Sequence, residues 1–310
     1  MALKGKKPEE IQKRLKMFVY GQAGCGKTVQ ALMFPSAYII DCERGTDEYA
    51  SIINKAGSVV FQSVNPDEIY EQVRELLTTK HPYKTLIIDP VTHVYNAVQD
   101  KWNRIYEKYA DTQKDKDRAD WGMGYWGKVK RDFKRIQRLL LQLDMNVIVT
   151  SHQKDVYGEN MKKVGVTFDS MRGDDYLFDI VFRIEKGKDK TRIAICEKER
   201  SFPSPKFPDS FEWTYDNFLK HYGQEVIEKE SAPMQMATPD QIVKIRKLVE
   251  TVKIDPTVID KWFTKADVSD WDEMNEETII KCIEHVEKKL KELNGVTVGG
   301  VGSEQTLATK

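Results

Sequence analysis

Cysteine is scarce: Cys25, Cys42, Cys196 and Cys282 are scattered through 310 residues, and no two stand at C-x-x-C spacing. Neither a cysteine-based zinc site nor a disulfide framework is indicated, and a reducing, cytoplasmic setting is the simplest expectation. Long apolar runs are missing too. None approaches the ~20 residues that a membrane span requires, so no membrane partner is expected. Net charge is also lacking, because 49 lysines and arginines balance 49 aspartates and glutamates. Nothing global draws the chain to nucleic acid or lipid, and any basic surface has to be local. The lysine-rich start, residues 1–16, has no apolar core of the kind a signal peptide carries and is expected to be a mobile or loosely helical lead-in. No internal repeat is visible.

What the chain does contain is Gly21-Gln22-Ala23-Gly24-Cys25-Gly26-Lys27-Thr28, a match to G-x-x-x-x-G-K-[ST]. In such a loop glycines let backbone N–H groups turn inward around phosphate oxygens, and the following helix directs its positive end at them. Lys27 is the candidate for the β- and γ-phosphates, and Thr28 the candidate ligand of Mg²⁺. The flanks agree with this: Met17-Phe18-Val19-Tyr20 reads as a buried strand leading in, and residues 28–33 as a helix leading out. The pattern predicts a bound nucleoside triphosphate, with ATP and Mg²⁺ as the expected cofactors.

Strands and helices then alternate. Residues 37–41, 58–61 and 85–89 are short apolar runs that read as buried strands, separated by a helix over 47–55 and an amphipathic helix over 66–77 with Ile69, Val73, Leu76 and Leu77 on one face. This alternation means an α/β fold, a mostly parallel sheet flanked by helices. Residues 90–127 are polar and aromatic-rich, with an exposed loop expected at 112–118. A long helix is expected over 128–143, a fifth strand over 146–152, a mobile segment over 153–178, and a β-hairpin pairing 179–184 with 191–196. The proline-rich stretch 202–211 is expected to close a domain spanning 17–223, and the composition shift at 224–237 reads as a linker. Thr238-Pro239-Asp240-Gln241 is a strong helix start that opens a small three-helix bundle over 238–293, while 294–310 is expected to be disordered.

A triphosphate hydrolase needs carboxylates near its cation and its attacking water. Asp89, at the end of Leu86-Ile87-Ile88, suits the first role. By position alone, Glu43 and Glu48 are both candidates for the base. Here the chain resembles the RecA-like recombinases. Tyr38-Ile39-Ile40-Asp41-Cys42-Glu43 is similar to their strand followed by Asp-x-Glu, which makes Glu43 the expected base. Val147 to His152 is similar to the strand that ends in their γ-phosphate sensor; those proteins carry glutamine there, whereas this chain has His152 followed by Gln153, with strand phase favouring His152. Asp120-Trp121-Gly122 ahead of a long helix, then Val147 to His152, resembles the phage-encoded RecA-like ATPases, a group of single-strand annealing recombinases related to Rad-type proteins. The likeness spans roughly residues 15–215.

That resemblance implies a RecA-like core, ATP hydrolysis at subunit interfaces of a ring or filament, and single-stranded DNA as partner. Glu197-Lys198-Glu199-Arg200 is similar to the family's Lys-x-Lys segment, which implies that Lys198 and Arg200 reach a neighbour's γ-phosphate. From Lys101 to Arg138 there are twelve Lys/Arg against six Asp/Glu, interleaved with aromatic residues; these residues and the 153–178 segment are the candidate DNA contacts. Trp102, Trp121 and Trp126 serve equally as packing residues. For the bundle, protein interaction (with a single-strand-binding protein, for example), DNA contact and stabilisation are all open. A helicase-like, packaging or loader motor on the same core is the alternative function, as is a nucleotide-gated binding module. A small-molecule phosphotransferase is disfavoured by the absence of an arginine-rich lid.

Overall fold

The apolar runs of the sequence become strands of one sheet in a computed structural model, which describes residues 14–110, 118–201 and 204–298. The chain divides into two units, Met1–Pro233 and Met234–Lys310, each with its own apolar core. In the first unit the strands are β1 (Lys16–Gly21), β2 (Ala37–Asp41), β3 (Val59–Gln62), β4 (Thr85–Asp89), β5 (Asn146–Tyr157), β6 (Lys163–Phe168), β7 (Ile180–Lys186), β8 (Arg192–Glu199) and β9 (Ser210–Glu212). They form a nine-stranded sheet in the order β3-β2-β4-β5-β1-β7-β8-β9, with β6 paired to β5 alone. From β3 across to β7 the pairings are parallel; β8, β9 and β6 attach antiparallel. β1 and β4 are buried along their whole length, as their unbroken apolar runs require.

Register sets the ends of the strands level. Gly21 lies opposite His152, and Asp41 opposite Asp89. The carboxyl edge of the parallel strands therefore gathers the starts of several loops, the position at which sheets of this kind bind ligands.

The helices of this unit are α1 (Lys27–Ala31), α2 (Ala50–Lys55), α3 (Pro66–Thr78), α4 (Val91–Ala110), α5 (Arg118–Gln142), α6 (Tyr215–Tyr222) and α7 (Gln224–Glu228). Asn65 caps α3 by accepting from Asp67 N at 3.0 Å, and the expected face of Ile69, Val73, Leu76 and Leu77 is buried. Several expectations are corrected. The stretch after Asp89 is helical from Val91, with Val94 and Val98 fully buried; its period is obscured by aromatic residues, since Tyr95 packs on Phe133 and Trp102 donates to Asp132 Oδ2 at 3.1 Å across the α4–α5 pair. α5 begins at Arg118 rather than Lys128. Of the exposed loop expected over 112–118, Arg118 opens α5 and the rest, with residue 111 and the side chains of Tyr109 and Trp121, lies outside the described residues. The segment expected to be mobile from 153 instead extends β5 to twelve residues and turns back as β6.

The sheet unit also runs past the expected domain end. Residues 210–228 add β9, α6 and α7, which place Trp213, Phe218 and Ile227 in the core beside Phe182. Asn146 Nδ2 donates to Ile227 O at 2.9 Å. The first half of the expected linker is thus part of the core. So is the end of the expected lead-in: Arg14 is 6% exposed, donates from Nε to Asp144 Oδ1 at 2.8 Å and from Nη1 to Lys229 O at 2.7 Å, and also bonds Glu230 O. Residues 1–13 lie outside the description.

The second unit is a bundle of α8 (Pro239–Val252), α9 (Pro256–Ala266) and α10 (Glu276–Val298). The capping box forms: Thr238 Oγ1 accepts from Gln241 N at 3.2 Å while Gln241 Oε1 accepts from Thr238 N at 2.8 Å. Ile245, Met274, Ile279 and Val286 are fully buried at its centre. α10 continues into the stretch expected to be disordered, and 299–310 lie outside the described residues. Among the described residues no helix is long and apolar enough to cross a membrane.

Burial alone would raise the Asp144 carboxyl, but the Arg14 hydrogen bond and charge outweigh it and hold the group below its ordinary range. Its contribution is present above the unfolded carboxylate pKa near ~4 and is lost as pH falls through the lower folded value. Arg14→Ala should lower unfolding stability by about 2 kcal/mol, at the low end for a broken pair because Asp144 is partly exposed. Urea denaturation at pH 7 and at pH 3 checks this, with the difference between wild type and variant shrinking at the lower pH.

Candidate active site

Local chemistry first fixes the loop between β1 and α1. A Cβ on Gly21 would stand 2.3 Å from Ile184 O, so β1 and β7 approach too closely there for any side chain. Gly26 has φ +84°, a left-handed conformation that turns the backbone into α1. Lys27 is buried, and its Nζ donates to Gly21 O at 2.9 Å and Gln22 O at 3.0 Å. The ammonium is therefore held in the ring of the loop by the loop's own carbonyls. The cleft above it, about 580 Å³, is lined by residues 23–29 together with Glu43, Gly45, Tyr49, Asp89, Pro90, His152 and Arg192.

Asp89 ends β4 on the floor of this cleft and is 2% exposed. Burial pushes its carboxyl above the ordinary range; bonds from Thr150 and Thr28 oppose that, and the nearby charges of Glu43 and Asp41 add to it. Its Oδ2 is buried without a hydrogen-bond partner. A buried carboxylate with one unmet acceptor, beside a threonine hydroxyl, suits a hydrated divalent cation, which would reverse the local penalty.

Asp41 organises the next loop. Its Oδ1 accepts from Glu43 N and Gly45 N, each at 3.1 Å, and its Oδ2 from Thr46 N at 3.0 Å and Thr46 Oγ1 at 2.5 Å. Burial would raise this carboxyl, but the Thr46, Glu43 and Gly45 bonds prevail and keep it low. The result is a fixed turn that carries Glu43 to the cleft. Glu43 Oε2 lies 3.2 Å from His152 Nε2 and 3.3 Å from His93 Nε2. Glu48, the other candidate base, sits in a 3-10 turn and is not among the lining residues. Gln153 pairs with Phe168 in the β5–β6 ladder, whereas His152 lines the cleft.

Lys198 and Arg200 stand elsewhere. Antiparallel pairing sets Lys198 opposite Val181, towards the amino ends of the parallel strands, and away from the loop that follows β1. Lys198 donates to Asp175 O and Arg200 to Tyr176 O, each at 2.5 Å. Burial, and then the charge of Arg200, lowers the Lys198 pKa. The hairpin cations beside this chain's own loop are different ones: Lys186 Nζ lies 3.6 Å from a Cβ position on Gly24, and the Arg192 stem 3.6 Å from one on Gly26.

Sequence reasoning missed His93, Arg192 and the bracing by Thr92, whose Oγ1 accepts from His152 N at 2.9 Å. His93 and Thr92 were hidden because residues after Asp89 did not read as a helix. Arg192 could have been found from the hairpin register, which returns it to the level of the loop.

Asp41→Ala should release the Glu43 turn and lower kcat by about 100-fold while nucleotide affinity changes little, the expected cost of misplacing a reacting group. Steady-state hydrolysis and titration with a fluorescent nucleotide separate the two. Gly21→Ala should abolish nucleotide binding or folding, checked by the same titration and by circular dichroism.

No curated protein matches the chain. A family model described as an AAA domain, AAA_24, matches residues 13–204, the stretch that holds the loop, both carboxylate-bearing strand ends and His152. A mostly parallel sheet, the G-x-x-x-x-G-K-[ST] loop and the match over most of the chain agree: the protein belongs to the AAA_24 family and is an AAA-type P-loop ATPase.

Proposed function

We propose that the chain is an ATP-dependent single-stranded-DNA-binding recombinase or annealing protein of RecA-like type, hydrolysing ATP at subunit interfaces. The observation that carries this reading is the course of β5. His152 faces the nucleotide cleft, and the same strand continues past the sheet edge to pair with β6. That two-stranded arm bears Lys162 together with Lys154 and Lys163, which pair with Asp169 and Asp155 and would exchange them for phosphates, and Tyr157 and Met161 are 54% and 79% exposed near its turn. Cations for phosphates and an aromatic face for bases are what single-stranded nucleic acid requires. A residue positioned to sense phosphate and a candidate DNA contact thus share one rigid element.

In this reading Lys27 leaves the loop carbonyls for the β- and γ-phosphate oxygens. Thr28 and Asp89 would hold Mg²⁺, which when bound would supply positive charge to the phosphate oxygens. Glu43 accepts a proton from the attacking water, while Nε2–H tautomers of His93 and His152 hold its carboxylate in place. His152 also responds to the γ-phosphate. Lys198 and Arg200 are too far along the hairpin for their own nucleotide. They act on a neighbour's, exchanging the Asp175 and Tyr176 carbonyls for phosphate oxygens. The C-terminal bundle is a candidate contact for a single-strand-binding protein.

Single-stranded DNA should raise the ATPase rate at least about tenfold, and the rate per subunit should climb with protein concentration. Glu43→Gln should lower kcat by about 100-fold or more with nucleotide binding retained. A DNA-independent rate rules out the recombinase reading; directional duplex unwinding transfers the assignment to a motor.

A further inference from the structure

Beyond bracing Glu43, His93 has no role in the expected phosphate chemistry, yet it completes a compact ligand set. Glu43, His93 and His152 come from three separate elements: the turn after β2, the first turn of α4, and β5. Each offers one ligand atom, and the three atoms lie within 4.8 Å of one another. The two imidazole rings are nearly perpendicular, 87° with centroids 5.2 Å apart, and both present Nε2 to the same Glu43 oxygen. All three side chains are a little over one third exposed, so the site is open on one side.

At 3.2 and 3.3 Å both imidazole nitrogens lie within hydrogen-bond reach of the same Glu43 oxygen, and the same spacing admits an ion between them. A tetrahedral ion with ligand bonds of ~2.0–2.1 Å sets its ligands about 3.3 Å apart. The Oε2–Nε2 separations already match the edges of such a polyhedron. Two imidazoles and one carboxylate with open positions form a donor set for first-row transition ions, whereas Mg²⁺ takes oxygen ligands and keeps its waters. Thr92, the residue before His93 in the first turn of α4, accepts from His152 N through its hydroxyl, so the two ring positions are coupled through one short side chain.

We propose that Glu43, His93 and His152 form a second cation site, specific for a divalent transition ion of the zinc or cobalt class and distinct from the Mg²⁺ position at Thr28 and Asp89. The ion occupies the Glu43 oxygen that a base would use, so its binding inhibits turnover. This inhibitory role rests on the assignment of Glu43 as base; the ion site itself does not.

The probe is Co²⁺, titrated into the full-length protein in millimolar Mg²⁺ and followed by its visible d–d absorption. One equivalent should bind with the intensity of a low-coordinate ion and be displaced by Zn²⁺. His93→Gln should weaken Co²⁺ at least about tenfold, and the isosteric Glu43→Gln should do the same, which keeps the test decisive if one variant does not fold. Lys27→Ala, which disables the phosphate loop, should leave Co²⁺ binding unchanged, separating this site from the nucleotide reading. Zn²⁺ should inhibit the wild-type ATPase, and His93→Gln, compared with its own metal-free rate, should lose that inhibition at least about tenfold in concentration. Absence of saturable Co²⁺ binding, or an affinity unaltered by either glutamine variant, overturns the proposal. Co²⁺ binding with no effect of Zn²⁺ on turnover overturns the inhibitory role.

Discussion

Everything at the nucleotide cleft depends on parallel strands that end level with one another. Backbone hydrogen bonding sets Gly21 beside His152 and Asp41 beside Asp89. A slip of one residue would turn each of these side chains to the other face of the sheet. The apolar flanks of β1, β4 and β5 make such a slip prohibitive, since it would move wholly buried side chains out of register with their core. Catalytic geometry is in this sense a by-product of core packing, and the loop glycines contribute what the core cannot: an approach to β7 closer than a Cβ allows.

The same convergence creates an electrostatic difficulty. Asp89 is almost wholly buried, and the nearby charges of Glu43 and Asp41 raise its proton affinity further. The protein resolves it unequally. Asp41 is saturated by the backbone N–H groups of its own turn and stays ionised as a structural anion. Glu43 faces solvent and two imidazoles. Asp89 alone retains an unmet oxygen, so the local cost is concentrated where a cation and phosphates meet. Each carboxylate differs from its neighbours by which donors surround it, not by residue type.

Legibility in the sequence followed from how locally each feature is encoded. The phosphate loop, the buried strands, α3 with its Asn65 cap and the Thr238–Gln241 capping box rest on contacts within a few residues, and they could be read directly. α4 could not, because its buried valines alternate with Tyr95 and Trp102, which pack against α5 rather than against the sheet and so blur the helical period. β5 beyond His152 reads as polar loop because its outer part pairs only with β6 and stands in solvent, so it needs no apolar alternation; the base of the ribbon is held instead by Phe168 of β6 against Phe18 and Tyr20. Residues 224–228 carry the composition of a linker, but Ile227 is buried in the core, its carbonyl accepts a hydrogen bond from the Asn146 amide, and Glu228 pairs with Lys84. His93 is the clearest omission: its partners lie in the turn after β2 and on β5, and no local pattern in the sequence announces a residue whose role is set by three elements at once.

The length of β5 has a mechanical consequence. Up to His152 the strand is clamped on both sides by β1 and β4 or by the start of α4; at Gln153 its partner Phe168 still packs on Phe18 and Tyr20, and further out only the pairing with β6 remains. Five residues at ~3.3 Å rise carry Tyr157 roughly 17 Å from that clamp. A reorientation of about ten degrees at His152 then sweeps the tip through about 3 Å, the scale of one bond to a phosphate or one stacking distance. A strand so held would act as a lever about His152, with a short arm at the cleft and a long one in solvent.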